Sequence, residues 1–249
     1  MFVSGFFVAR VPDATRPEFA PLSSLFVVLF AIPSYRALWR WIGSRNALKV
    51  LWGLGIFAFA LETFAVICGW PYGRFSYGDR IGARLGWVPW TVPFAWTPLV
   101  LGAWALQSRF NSGNFKHLKY FKVLQSTLWL TAFDLVLDPG AVHQGFWRYQ
   151  AGGAYYGVPL SNYGGWLLSG ALGTAMLAHI LKARETDSSR AMAPLGMMTS
   201  VAWILSFWTS VCLFSNQWLP AMVGFVLLFS IVKATRVSAA AQRLEDTPI

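Results

Sequence analysis

The sequence predicts an all-α protein: a polytopic membrane bundle of about seven transmembrane helices, with a long outer loop folded over a site. Three observations predict it. Only 12% of the 249 residues are charged, against roughly 25% in an average soluble domain, and 56% are hydrophobic. Apolar runs of about membrane length recur along the chain. Of the ten acidic residues, Glu62, Asp134 and Asp138 sit inside such runs, and the others fall in loops or tails.

The first apolar run, Phe2 to Val8, is short and is followed by Arg10, Asp13 and Arg16, which is not the layout of a secretory signal. The spans then read approximately Ala20–Ala37, Ala47–Gly69, Trp87–Gln107, Leu118–Asp138, Tyr163–Leu181, Pro194–Phe214 and Trp218–Val232. Pro33, Pro89, Pro93 and Pro98 lie within or beside spans, which membrane helices tolerate where neighbours satisfy the freed carbonyls, and the third span is expected to kink. The seventh is short and reads as half of a hairpin with the sixth through Ser215-Asn216-Gln217. With so little chain left between spans, residues 1–249 read as a single integral-membrane domain.

The net charge is +10, and the positive-inside rule accounts for it. Arg36, Arg40, Arg45, Lys49, Arg109, Lys116, Lys119, Lys122, Lys182, Arg184, Arg190, Lys233, Arg236 and Arg243 fall on one side, which makes fourteen. Arg10, Arg16, Arg74, Arg80, Arg84 and Arg148 make six on the other. The fourteen are expected in the cytoplasm, with the C-terminus, in the cell membrane. Nucleic-acid binding would need a soluble basic face, so it is not expected.

This topology gathers all three carboxylates near the outer face, beside the loops Trp70–Gly86 and Pro139–Asn162. The second loop, rich in glycine and aromatics, is long for a compact membrane protein, and long ordered loops tend to be functional. It can fold back onto the bundle as a lid.

Asp134 and Asp138 are spaced i, i+4, so both carboxyls lie on one helix face a turn apart. Two such groups in grease cannot both ionise cheaply, and one is expected to stay protonated, as a general acid must. Pro139 is read as ending that helix, with Asp138 at its C-terminus. The bland alternative is a pair of carboxyls bonded to Arg148 or loop amides to hold the loop. Glu62 is either a helix–helix hydrogen bond or a second acid–base group. Trp147, Tyr149, Tyr155, Tyr156, Tyr163 and Trp166 surround one loop, and Tyr72, Phe75, Tyr77, Trp87 and Trp90 the other. Some fit an interfacial belt. The rest could wall a slot that tolerates a carbocation.

Other chemistry lacks its pattern. His117, His143 and His179 form no histidine box, no GxGxxG follows a strand, no DDxxD could hold magnesium diphosphate, and no Cys/His spacing suits a metal. Cys68 and Cys212 read as small buried hydrophobes. No cofactor and no metal are expected. Acid–base chemistry, or binding, on an apolar ligand remains.

At the two loops the chain resembles the integral-membrane carotenoid hydratases, the family of gamma-carotene 1',2'-hydratase and bisanhydrobacterioruberin hydratase. The matching residues are Glu62, Gly69-x-Pro71-Tyr72-Gly73-x-Phe75-x-Tyr77, Gly82, Val88-Pro89, Pro93 and Trp96. Then come Asp134-x-x-x-Asp138-Pro139, Gly145-x-Trp147, Tyr155-Tyr156-Gly157-Val158-Pro159 and Asn162-x-x-Gly165-Trp166. The resemblance covers the second to fifth spans. It implies a cofactor-independent hydro-lyase adding water to the terminal 1,2 double bond of an acyclic carotenoid end, through a tertiary cation. The basic charge, unlike the acidic surfaces of halophiles, favours lycopene or gamma-carotene as substrate. Asp134 would donate the proton, Asp138 would keep it protonated, and Glu62 would orient or deprotonate the water, with the roles of Glu62 and Asp134 exchangeable. Asn162 would order a carboxyl or the water. Trp147, Tyr155, Tyr156 and Trp166 would line the slot, together with Tyr72, Tyr77 and Trp96. Partners would be the carotenoid, membrane lipid and other enzymes of the pathway. The alternatives are a carotenoid cyclase, a non-catalytic carotenoid- or lipid-binding membrane protein, and, more weakly, a proton-coupled transporter.

Overall fold

A computed structural model describes residues 1–11, 16–110, 119–185 and 192–245, with side chains described except at 119, 182–185 and 237–245. Asp13, Lys116, His117 and Arg190 lie outside the described residues, as do the side chains of Lys119, Lys182, Arg184 and Arg243. Among the described residues the fold is all-α. Its helices are α1 (Phe2–Arg10), α2 (Ala20–Ile42), α3 (Ser44–Cys68), α4 (Val92–Phe110), α5 (Lys119–His143), α6 (Leu160–Glu185), α7 (Thr199–Phe214) and α8 (Trp218–Glu245). Four short strands interrupt them: β1 (Phe75–Tyr77), β2 (Arg84–Leu85), β3 (Val88–Pro89) and β4 (Trp147–Tyr149).

Helix α4 is the axis of the bundle. It packs against α2, α3, α5, α6, α7 and α8, and every residue from Trp96 to Gln107 is buried. A helix apolar on all sides can be stable only when enclosed in this way or bathed in lipid. Among the described residues, five helical segments are long and apolar enough to cross a membrane: Pro17–Ile42, Ser44–Cys68, Leu160–Leu181, Leu195–Phe214 and Trp218–Arg236. These helices line up with five of the seven spans read from the sequence. The other two became α4 and α5. The first is surrounded by protein, and the second carries polar side chains at Gln125, Ser126, Thr127, Thr131, Asp134 and Asp138.

Four expectations change in the structure. The third span starts later, at Val92, because Arg84–Leu85 and Val88–Pro89 pair as a small hairpin ahead of it. The seventh is longer than the sequence suggested, since α8 runs from Trp218 to Glu245. Cys212 is buried as expected, but Cys68 is exposed. Pro139 does not end its helix: α5 continues to His143, so Asp138 stands inside the helix.

The last correction has a local cause. A proline inside a helix removes the amide that would bond the carbonyl four residues earlier. Here that carbonyl belongs to Leu135, and the Tyr155 hydroxyl donates to it at 3.1 Å. The next carbonyl, of Val136, accepts from the Cys212 thiol at 3.4 Å, and the Pro139 carbonyl accepts from the Gln217 amide at 3.1 Å. Side chains from the 144–159 segment, α7 and the α7–α8 turn thus carry the helix through the proline.

The two unusual loops are joined to each other. Strands β1 and β4 pair antiparallel, with Phe75 opposite Tyr149 and Tyr77 opposite Trp147. The pair is extended when the Gly78 amide donates to the Phe146 carbonyl at 2.8 Å and the Gln150 amide to the Arg74 carbonyl at 2.9 Å. Side chains two apart share a strand face. Phe75, Tyr77, Trp147 and Tyr149 therefore form one aromatic face, while Ser76 and Arg148 project from the other. The initial segment Phe2–Arg10, read only as a non-signal run, is a helix packed on α7, where the Ser210 hydroxyl donates to the Phe2 carbonyl at 2.6 Å.

Candidate functional site

The aromatic strap covers a cavity of about 100 Å³ between α3, α4, α5 and α6. Glu62 lines it from α3, Asp134 and Asp138 from α5, Asn162 and Trp166 from α6, and Trp96 and Leu99 from α4. Tyr72, Phe75, Tyr77, Trp147 and Tyr149 complete the wall. The three carboxylates of the sequence reading are therefore brought to one place. So are Trp147, Asn162, Trp166, Tyr72, Tyr77 and Trp96.

Tyr155 and Tyr156 are placed elsewhere. Tyr155 holds the Leu135 carbonyl, and the Tyr156 hydroxyl accepts from the Leu219 amide at 3.4 Å on a partly exposed surface. Neither lines the cavity, although their rings touch edge to face with centroids 5.2 Å apart. They sit behind α5 rather than in the slot.

Each carboxylate has an identified donor. The Asn162 side-chain amide donates one hydrogen to Asp134 Oδ2 at 2.7 Å and the other to Asp138 Oδ2 at 2.6 Å. Asn162 can do this because it lies in the first turn of α6, where the i, i+4 pair on α5 faces it. Asp138 Oδ2 also accepts from the Tyr149 hydroxyl at 2.7 Å. Across the cavity, the Tyr77 hydroxyl donates to Glu62 Oε2 at 3.0 Å. Asp134 Oδ1 is buried with no direct hydrogen-bond partner among the described residues. The pair is thus asymmetric: one carboxyl oxygen takes two donors, and one oxygen of its neighbour takes none.

The strap tyrosines stay protonated. Burial, and then the Glu62 carboxyl, push the Tyr77 phenol well above its ordinary value. Burial, and then Asp138 and Asp134, push Tyr149 in the same direction. Both act as hydrogen-bond donors to the acids. Arg148, the counter-ion considered for Asp134 and Asp138, is exposed on the opposite face of β4. Asn162 and Tyr149 hold the pair without a cation.

Two glycines set the shape of the wall. A Cβ on Gly165 would lie 2.3 Å from the Tyr72 ring, and one on Gly173 would lie 2.3 Å from the Trp96 ring. Their absence lets both rings rest directly on the α6 backbone. The Ser161 hydroxyl donates to the Tyr72 carbonyl at 3.2 Å and pins the loop that carries Tyr72 to the start of α6. Phe75 and Tyr149 are wall residues that the sequence reading saw only as aromatics near the loops. The period-two spacing in FSY and WRY was the available signal, but the register that joins these segments was not.

The arrangement can hold a protonated carboxylic acid beside an anion, opposite a third carboxyl, within an aromatic enclosure. That suits proton transfer to or from an apolar ligand. Comparison with known proteins bears on the ligand. Residues 21–231 match the family described as carotenoid biosynthesis protein. The chain is 33% identical over 224 residues to a bisanhydrobacterioruberin hydratase of Haloarcula japonica, covering 88% of this chain and 74% of that protein. No solved structure matches it. The chain belongs to the carotenoid biosynthesis protein family.

Proposed function

We propose that this protein is a carotenoid hydratase that adds water to the terminal 1,2 double bond of an acyclic carotenoid end, of the lycopene or gamma-carotene type. One observation carries the reading: Asp134 and Asp138 share the Asn162 amide at the wall of an aromatic cavity that also contains Glu62. The name of the Haloarcula japonica relative supports hydration as the reaction class.

Asp138, held by Tyr149 and Asn162, is the anion of the pair. Asp134 carries the proton on Oδ1, the oxygen with no partner. It gives that proton to C2 of the alkene, and the π pair becomes the new C–H bond. The tertiary cation at C1 is stabilised by the faces of Trp96, Trp147 and Trp166 and by the nearby carboxylates. Water forms the C1–O bond and loses a proton to Glu62. That proton passes back across the cavity to Asp134, which closes the cycle. Addition of water to an alkene changes no oxidation balance, so the reaction proceeds without a cofactor as a hydro-lyase.

In this reading α4 and α5 also cross the bilayer, giving seven spans in a single domain with the strap at the outer face and the C-terminus in the cytoplasm. Lipid surrounds the bundle, and other enzymes of the pathway supply the substrate and remove the product. The test is expression in a lycopene-accumulating host with mass analysis of the pigments. Hydration adds one water to the pigment mass. A new pigment of unchanged mass would mean cyclisation, and unchanged pigment would refute the reaction.

A further inference from the structure

Among the described residues, the buried oxygens without a direct hydrogen-bond partner include Asp134 Oδ1, the Tyr72 hydroxyl on the wall of the same cavity, and the Ser169 hydroxyl of α6. A buried polar group left unpaired is costly, so the oxygens that face the cavity call for a partner within it. Such groups in a polar cavity are the usual hosts of ordered water.

Their placement is coherent. One edge of the Tyr72 ring lies against α6 at Gly165, where a Cβ would collide with it, and the ring packs beside Trp166 with centroids 6.4 Å apart. Ser169 is four residues beyond Gly165 on the same helix face, about 6 Å along the axis. The Tyr72 hydroxyl faces the Ser169 hydroxyl. Both residues are almost wholly buried, Tyr72 at 3% and Ser169 at 1% exposure. Tyr72 lines the same cavity as Glu62 and Asp134.

We infer that Tyr72 holds the reacting water, and that Ser169 is a positioning residue that fixes the direction of the Tyr72 hydroxyl. This rests on the hydratase reading and names the group that reading left open. The Tyr72 phenol donates to one lone pair of the water. The water directs its hydrogens towards the carboxyls, and its second lone pair faces C1. When the cation forms, the water oxygen bonds to C1 and one of its protons leaves to a carboxylate. Without this hold the cation has another exit: a C–H bond next to C1 breaks, its electrons restore an alkene, and the proton returns to the carboxylate.

The two exits are separable in heavy water. Each protonation by the exchanged acid delivers one deuteron, and a cation that reverts leaves deuterium in unhydrated pigment. The full-length protein in membranes, supplied with lycopene in D2O, is compared as wild type, Tyr72→Phe and Ser169→Ala. Tyr72→Phe keeps the ring that rests on Gly165. It is expected to lower hydrated product about tenfold, while the sum of hydrated and deuterated unhydrated pigment changes less than twofold. Ser169→Ala is expected to shift the same ratio about threefold. If hydrated and deuterated pigment fall together in both variants, the residues support the fold or the acid and the inference is overturned. If the ratio does not move, it is equally overturned. Absence of hydration in the wild type would instead defeat the hydratase reading itself.

Discussion

Asp134 and Asp138 have unequal neighbours, and in the proposed reaction that inequality selects the acid. Asp138 Oδ2 receives hydrogen bonds from Tyr149 and Asn162, whereas Asp134 Oδ2 receives one from Asn162 and its Oδ1 has no direct partner among the described residues. In the proposed mechanism hydrogen bonds that favour the anion place it at Asp138 and leave the proton to Asp134. Asp134→Asn is expected to reduce hydration at least about 100-fold, the usual scale of a lost general acid. Membrane insertion should be unaffected, as gel-filtration profile in detergent would check. Tyr149→Phe removes one hydrogen bond to a charged group, worth about 1.5–3 kcal/mol, and should slow hydration roughly tenfold or more without abolishing it. Equal rates for Tyr149→Phe and wild type would mean that Tyr149 does not set the asymmetry. The i, i+4 spacing of the two aspartates made their shared face legible in the sequence. Tyr149 as the donor was not legible, because its position over Asp138 depends on a strand register fixed only when residues 75–77 and 147–149 meet.

At the scale of elements, Pro139 is the instructive residue. Read alone it ends a helix, and a tyrosine-rich segment after it then looks like a lid over the ligand. In the fold the helix continues, and Tyr155 turns back to take the carbonyl that the proline freed. The same sequence feature, DP followed by YY, therefore gave the right neighbourhood and a different task. A double-mutant cycle tests this. Tyr155→Phe should destabilise the protein by about 1 kcal/mol through the orphaned Leu135 carbonyl. Pro139→Ala restores an amide able to bond that carbonyl, so Tyr155→Phe should cost markedly less in that background. Thermal unfolding in detergent reads both. Hydration per folded molecule should change little in Tyr155→Phe, since Tyr155 does not line the cavity. Gly173→Leu makes the opposite case: its side chain would enter the space of the Trp96 ring, push that wall into the cavity and remove activity. Full activity in Gly173→Leu would show that the position of Trp96 does not shape the site.

For the whole molecule, the composition legible in the sequence and the apolar helices point to a membrane protein, and the charge pattern predicts an orientation. Arg36, Arg40, Arg45 and Lys49 flank the junction of α2 and α3, Arg109 closes α4, Lys122 opens α5, and Lys233 and Arg236 lie late in α8. The strap, with Arg74 and Arg148 beside it, belongs to the opposite ends of α3, α5 and α6. What hid α4 and α5 from a hydropathy criterion is the way the bundle is built. A helix wrapped in other helices, or one carrying buried polar and acidic side chains, has less need of a lipid-like surface. The positive-inside rule then predicts that the strap faces away from the cytoplasm. Ala151, in the exposed turn after β4, offers a probe. In a Cys68→Ser background, which removes the exposed native thiol, Ala151→Cys should react with a membrane-impermeant maleimide in intact cells. A reporter fused after residue 249 should be active only in the cytoplasm. Labelling of Ala151→Cys solely after permeabilisation would invert the molecule, and would put both the site and its supply of water on the cytoplasmic side.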